Sequence, residues 1–234
     1  MREGSMEAII LAGGFGTRLR HVVSDVPKPM APMNSQGLPF LQVILDQLKL
    51  QRFTHVVMAT GYMSEVIEQY FGEVYQGIAI EYSREESPML TGGAIRMALR
   101  YCQEEQVFIL NGDTFFSVDM HGLLKNHQAK NADLSIAVCK MYDFDRYGTV
   151  QFDETMRIQS FCEKRYYYEG WINGGVYCLT RSLATMFPIA PFSFEKDFME
   201  KRCANARIIA FPTESYFIDI GIPEDYEKAR KKFG

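Results

Sequence analysis

The stretch LAGGFGTRLRHVVSDVPKP, Leu11 to Pro29, follows directly on the apolar run AIIL, Ala8 to Leu11. A short β-type run that ends in Gly13, Gly14 and Gly16 reads as a strand breaking into a tight loop, where bare backbone N–H groups can approach a ligand closely. Clustered N–H groups of this kind suit an oxyanion, phosphate above all. Arg18 adds a planar donor fork for phosphate oxygens. Lys28 stands between Pro27 and Pro29, whose rings are expected to hold it in a stiff, extended backbone. The dinucleotide fingerprint fails here, because Leu19 stands where its last glycine is needed. The P-loop fails because Lys28 comes too late to close the loop.

The rhythm continues outward from that strand. HVVMAT, IAIEYS and VFILNGD read as further strands. FLQVILDQLKLQ, SEVIEQYFG and GGAIRMALRYC read as the helices between them, with Ser64 expected as a cap and Gly72 as a stop. Near-continuous apolar strands alternating with helices predict an α/β fold, a Rossmann-like doubly wound sheet covered on both faces. Ligands of such sheets bind beyond the carboxyl ends of the strands. In the second half LSIAVCK, YGTVQFD, IQSFCEK and WINGGVYCLT follow one another with turns between them. They are expected to make the sheet mixed and to add a small antiparallel wall against the nucleotide half. SFEKDFMEKRC and PEDYEKARKKF are expected as charged, solvent-facing helices.

Composition narrows the function classes. The chain has 234 residues, 47% of them hydrophobic, enough for one substantial core. A single domain is expected, with MREGS ahead of Met6 read as a leader and no hexapeptide repeat that would build a β-helix domain. Lys plus Arg total 25 against 29 acids, a net charge of −4, which argues against nucleic-acid or anionic-membrane surfaces. No apolar run approaches the roughly 20 residues of a membrane span. Five cysteines without CxxC spacing read as reduced thiols of a cytoplasmic protein.

Two carboxylates stand at strand ends: Asp113 in VFILNGD and Asp219 in YFIDIG. One carboxylate with phosphate oxygens and waters is the usual Mg²⁺ arrangement. Taken together, LAGGFGTRL…DVPKPMAP and these two acids resemble the sugar-phosphate nucleotidyltransferases, which make NDP-sugars from an NTP and a sugar 1-phosphate. The resemblance implies that Leu11, Ala12, Gly13, Gly14, Gly16, Thr17 and Gly112 line the nucleotide site, with Thr91 and Gly92 of TGGA beneath the base. Arg18, Lys28 and Asp113 would be catalytic, and Asp113 with Asp219 would hold Mg²⁺. Gly148, Glu163, Lys164, Asn173 and Gly174 would bind the sugar phosphate. Leu90 stands where the family commonly has glycine, which leaves the base open, and Glu85 and Glu86 could accept from a guanine edge.

Within the family, SDVPKPMAP, SFCEK, FSFEKDFMEK and FIDIGIPEDYEKA imply GTP as donor and a manno-heptose 1-phosphate as acceptor, for surface-polysaccharide synthesis. Mannose or N-acetylmuramate 1-phosphate, or a non-catalytic nucleotide-sugar sensor, stay open as alternatives. The resemblance is compatible with a homodimer. No general base is required, since a sugar 1-phosphate is already largely ionised at neutral pH, its second pKa lying at about 6. Fittingly, His21, His55, His121 and His127 share no ligand spacing.

Overall fold

The computed structural model describes residues 5–14, 19, 23 and 25–234. Gly16, Thr17 and Arg18 therefore lie outside the described residues, as does His21. The elements run β1 (Met6–Leu11), α1 (Phe40–Leu50), β2 (Phe53–Thr60), α2 (Ser64–Phe71), β3 (Val74–Tyr75), β4 (Ile78–Arg84), α3 (Leu90–Ala98) and β5 (Gln106–Asn111). After β6 (Thr114–Phe116) come α4 (Met120–Ala129), β7 (Leu134–Phe144), β8 (Val150–Phe152), β9 (Ile158–Phe161) and β10 (Tyr167–Thr180). A widened π-type turn (Phe194–Met199) leads into α5 (Glu200–Arg202), followed by β11 (Ile208–Thr213), β12 (Phe217–Asp219) and α6 (Pro223–Phe233).

Eight strands form one mixed sheet in the order β11-β7-β10-β5-β1-β2-β4-β3. β4, β2, β1 and β5 are mutually parallel. β10 enters antiparallel to both β5 and β7, and β11 pairs parallel to β7. Alternate residues of the central strands feed two cores. Ala8 and Ile10 join one face with Phe108 and Leu110; Ile9 joins the other with Val107 and Ile109. α1 and α2 cover the first face and α3 the second. That double burial is why the strands read as unbroken apolar runs rather than alternating ones. The chain winds from β1 outward through β2 to β4, then returns for β5 on the other flank of β1. The strand order thus reverses at β1/β5, the place where such sheets open a ligand crevice.

β7 and β10 make the main sheet mixed, as expected, with β11 added beyond β7. β10 is a central strand with Tyr177 in one core and Cys178 in the other, so it needs a partner on each side. The small antiparallel additions are the ribbons β8–β9 and β6–β12. Ser64 is not the cap of α2: Met63 holds that position at φ +54, without a side-chain cap. The segment SFEKDFMEKRC is not merely solvent-facing. Phe194, Phe198 and Met199 are buried, and the rings of Phe194 and Phe198 stack 5.9 Å apart. α4, which the sequence reading did not mark, is started by Asp119, whose side chain accepts from the Gly122 N–H.

Candidate active site

A cavity of about 720 Å³ opens at the carboxyl ends of β1, β2, β4 and β5. Its floor is Leu11, Gly13 and Gly14 after β1, with Ala59 and Gly61 at the end of β2. Gly13 packs closely on the end of β2: a Cβ there would lie 3.2 Å from the Gly61 backbone nitrogen, tight enough that the neighbouring chain would have to yield slightly. Ala12 is buried and donates its N–H to the Ala59 carbonyl, so it supports the loop from beneath. Gly112 plays a similar part: its N–H donates to the Leu11 carbonyl, and a Cβ would meet that oxygen at 2.6 Å. This close contact joins the end of β5 to the glycine loop and aims Asn111 and Asp113 at the cavity.

Lys28 reaches the centre of this arrangement by a route the sequence did not predict. Pro27 is extended, but Lys28 itself opens a 3-10 turn through Met30. Pro29 is tolerated at the second position of that turn, where no backbone donor is needed, and the Met30 and Ala31 N–H groups close on Pro27 and Lys28. The ammonium donates to Asp113 Oδ2 at 2.6 Å and lies 3.7 Å from Asp219 Oδ1. Its side chain is only 10% exposed, against 37% for Asp113 and 21% for Asp219.

The two carboxylates meet because β12 pairs antiparallel with β6, placing Asp219 opposite Thr114, and because the Ile220 N–H donates to the Asp113 carbonyl. Burial pushes the Asp219 carboxyl above the usual range, with the Asp113 charge adding to it. Lys28, the Gly221 N–H (2.6 Å) and Arg146 pull the other way. Two crowded acids sharing one cation form an oxygen-donor site short of positive charge. That donor set fits a hard divalent ion such as Mg²⁺, which takes one or two carboxylates and leaves room for phosphate oxygens and water. Among the described residues no group of three or more metal-ligating side chains occurs.

Along another wall of the cavity stand Glu85, Glu86, Ser87, Pro88, Leu90 and Thr91. Burial raises the Glu85 carboxyl, partly offset by the Met89 N–H that it accepts at 3.1 Å. Leu90 adopts φ +58, the left-handed region where glycine is at ease, with its side chain 54% exposed. The glycine-type backbone is thus kept without the glycine. Thr91 lines the cavity, but its hydroxyl is engaged: it accepts from the Phe194 N–H and donates to Glu195 Oε2 at 2.7 Å. Gly92 faces away from the cavity. A Cβ there would fall 2.1 Å from the Phe192 ring, so this glycine admits Phe192 rather than a base.

The residues expected to bind the sugar phosphate do not line this cavity. Gly148 packs on Cys162, where a Cβ would meet the carbonyl oxygen at 2.2 Å. It thereby sets the loop before β8 against the chain leading to Glu163 and Lys164, both exposed. Asn173, on β10, donates to the Tyr177 hydroxyl and accepts from the Gly175 N–H, each at 2.9 Å. Gly174 is packed on the Phe116 ring of β6. Tyr147 connects this side to the acid pair: burial first, then the Asp219 charge, push its hydroxyl up to about 12. The sequence reading gave no role to Asn111, Tyr177 or Glu195, although Asn111 and Glu195 line the cavity and Tyr177 packs behind it. The one signal for Glu195 was an acid embedded in the aromatic run FSFEKDF.

Over 228 residues the chain is 48% identical to the D-glycero-α-D-manno-heptose 1-phosphate guanylyltransferase of Aneurinibacillus thermoaerophilus, covering 97% of this chain and 98% of that one. It is 45% identical over 222 residues to the Campylobacter jejuni protein of the same name, covering 94% and 97%. The crystal structure of HddC from Yersinia pseudotuberculosis superposes with a TM-score of 0.87 at 35% identity, over 98% of this chain and all of that one. A second structure of HddC, complexed with GMP-PN, matches equally well. Residues 7–234 match the model of the nucleotidyl transferase family, and the chain belongs to that family.

Proposed function

We propose that the protein transfers the guanylyl group of GTP to D-glycero-α-D-manno-heptose 1-phosphate, releasing pyrophosphate and forming the GDP-sugar for a surface polysaccharide. The observation that carries this reading is the Lys28 ammonium held between Asp113 and Asp219 at the mouth of a glycine-floored cavity. The names of the full-length relatives and the GMP-PN complex of HddC support the choice of base and sugar.

The chemical problem is to bring two polyanions together in line. Positioning reactants in this way is worth about 7–11 kcal/mol. The glycine loop and Arg18 receive the triphosphate, and Lys28 meets the α-phosphate. While the site awaits substrate, the acid pair keeps the ammonium pointed inward; a phosphate oxygen then takes over as its partner. The attacking phosphate oxygen of the sugar 1-phosphate needs no proton removed, so no histidine is required. A Mg²⁺ held by Asp113 and Asp219 would supply charge stabilisation at the phosphate oxygens. Glu85 and Glu86 accept from the guanine edge. Gly148, Glu163, Lys164, Asn173 and Gly174 receive the sugar phosphate. GTP as donor, with five cysteines all free, supports a cytoplasmic setting.

The test is pyrophosphate release measured with each of four NTPs against manno-heptose, mannose and N-acetylmuramate 1-phosphates. GTP with the heptose is expected to give the highest kcat/KM. A preference for another base or sugar would overturn the specificity, and binding without turnover in every combination would overturn the reaction.

A further inference from the structure

Glu195 is held too carefully to be an incidental surface acid. It lies in the Phe194–Met199 segment, whose phenylalanines are locked in the core. Thr91 Oγ1 accepts from the Phe194 N–H at 2.9 Å, so its own proton is left to point at Glu195 Oε2. Ser193 Oγ accepts from the Lys196 N–H at 3.1 Å and turns its proton to the same oxygen at 3.2 Å. Both hydroxyl rotors are therefore set, and both are spent on Oε2. Oε1 accepts no hydrogen bond among the described residues, and Glu195 forms part of the cavity wall.

A rigid carboxylate with one free oxygen in a cavity built for phosphates cannot serve a phosphate, which it repels. It suits a neutral hydroxyl donor. The neighbourhood says which one. Tyr177, buried on β10, packs edge-on against the ring of Phe194, the residue before Glu195, at 5.5 Å between centroids, and its hydroxyl accepts from Asn173. The segment that carries Glu195 is thereby docked on β10, the side that carries Asn173 and Gly174.

We propose that Glu195 Oε1 accepts a hydrogen bond from a hydroxyl of the acceptor sugar, making Glu195 an acceptor-binding residue. This rests on the transfer reaction proposed above. Glu195→Gln keeps an oxygen for Thr91 and Ser193 but removes the charge facing the cavity. A hydrogen bond to a charged group is worth about ten- to hundred-fold in binding. In Glu195→Gln the KM for the heptose 1-phosphate is expected to rise about ten-fold or more, while the KM for GTP stays within about two-fold. Among monodeoxy forms of the acceptor, one is expected to cost the wild type the same factor and to cost Glu195→Gln nothing further. An unchanged acceptor KM, a rise confined to GTP, or equal losses on every deoxy form in both proteins would each overturn the assignment. Wild-type protein that turns over no sugar 1-phosphate would instead sink the transfer reaction, and Glu195's role with it.

Discussion

Replacing Lys28 by methionine keeps the length of the side chain and removes only the charge. At an effective dielectric constant of about 20, unit charges at the observed 2.6 Å and 3.7 Å attract by about 6 and about 4.5 kcal/mol. Solvent screens Asp113, which is over a third exposed, and the ammonium was desolvated to reach its place. The net loss of folding stability in Lys28→Met is therefore put at ~1–3 kcal/mol at neutral pH. Its pH dependence has a definite sign. The Asp219 carboxyl is raised in the folded state, so its ionised form opposes folding at high pH, and acid relieves that cost. Without Lys28 the two acids repel unopposed, and the deficit relative to wild type should shrink as pH falls towards 5. Turnover should drop by at least about 10²–10³, the usual cost of losing one preorganised charge at a reacting centre. Lys28→Arg should recover the stability but little of the rate, because the planar fork does not reproduce a compact ammonium. Urea denaturation at pH 7.5 and 5, with pyrophosphate release at saturating substrate, measures both. Near-wild-type pyrophosphate release from Lys28→Met would refute the reasoning, and a stability deficit indifferent to pH would refute its electrostatic part.

EDTA should stop turnover and Mg²⁺ restore it; Mg²⁺ should also raise the melting temperature of wild type but not of Asp219→Asn. Turnover persisting in EDTA would remove the acid pair from any metal role. His127 is buried between Ser135 and Thr180 (2.9 and 2.8 Å), and burial lowers it to about 4. Its contribution to stability is complete above the unfolded value of about 6.5 and is lost as pH drops towards 4, amounting to ~2 kcal/mol at pH 5. His127→Gln should flatten that slope in chemical denaturation, and an unchanged slope would contradict it. Leu90→Gly should stabilise the fold by up to about 1 kcal/mol, because relief of the left-handed strain slightly exceeds the entropy that glycine adds. A loss beyond that size in the denaturation midpoint would mean that contacts of the half-exposed leucine outweigh its strain.

Much of the parallel half was legible because its information is local. AIIL, HVVMAT and VFILNGD sit between helices of clear period, and a strand that ends in glycines at the carboxyl edge of a sheet has few other uses. Asp113 is nameable for the same reason, two positions past the end of β5, and Lys28 because Pro27 and Pro29 flank it directly. Misreadings arose where a long-range contact overruled the local signal. WINGGVYCLT reads locally as a strand, but its place between β5 and β7 is decided only by long-range pairing. Phe194 and Phe198 look like ornaments of a charged helix until the core behind α3 takes them. Gly92 looks like a base-contact glycine, yet it is the gap that Phe192 fills.

By itself the sequence determined the alternation of strands and helices, the glycine loop, and the presence of two acids and a lysine able to handle phosphate. Only the tertiary structure decided that these groups share one cavity. Lys28 and Asp113 are 85 positions apart, and Asp219 joins them solely because β12 docks on β6. Periodicity and turn chemistry are set by neighbours along the chain. The meeting of charges at a catalytic centre is set by strand pairing between distant segments, and no short stretch of residues encodes such a partner.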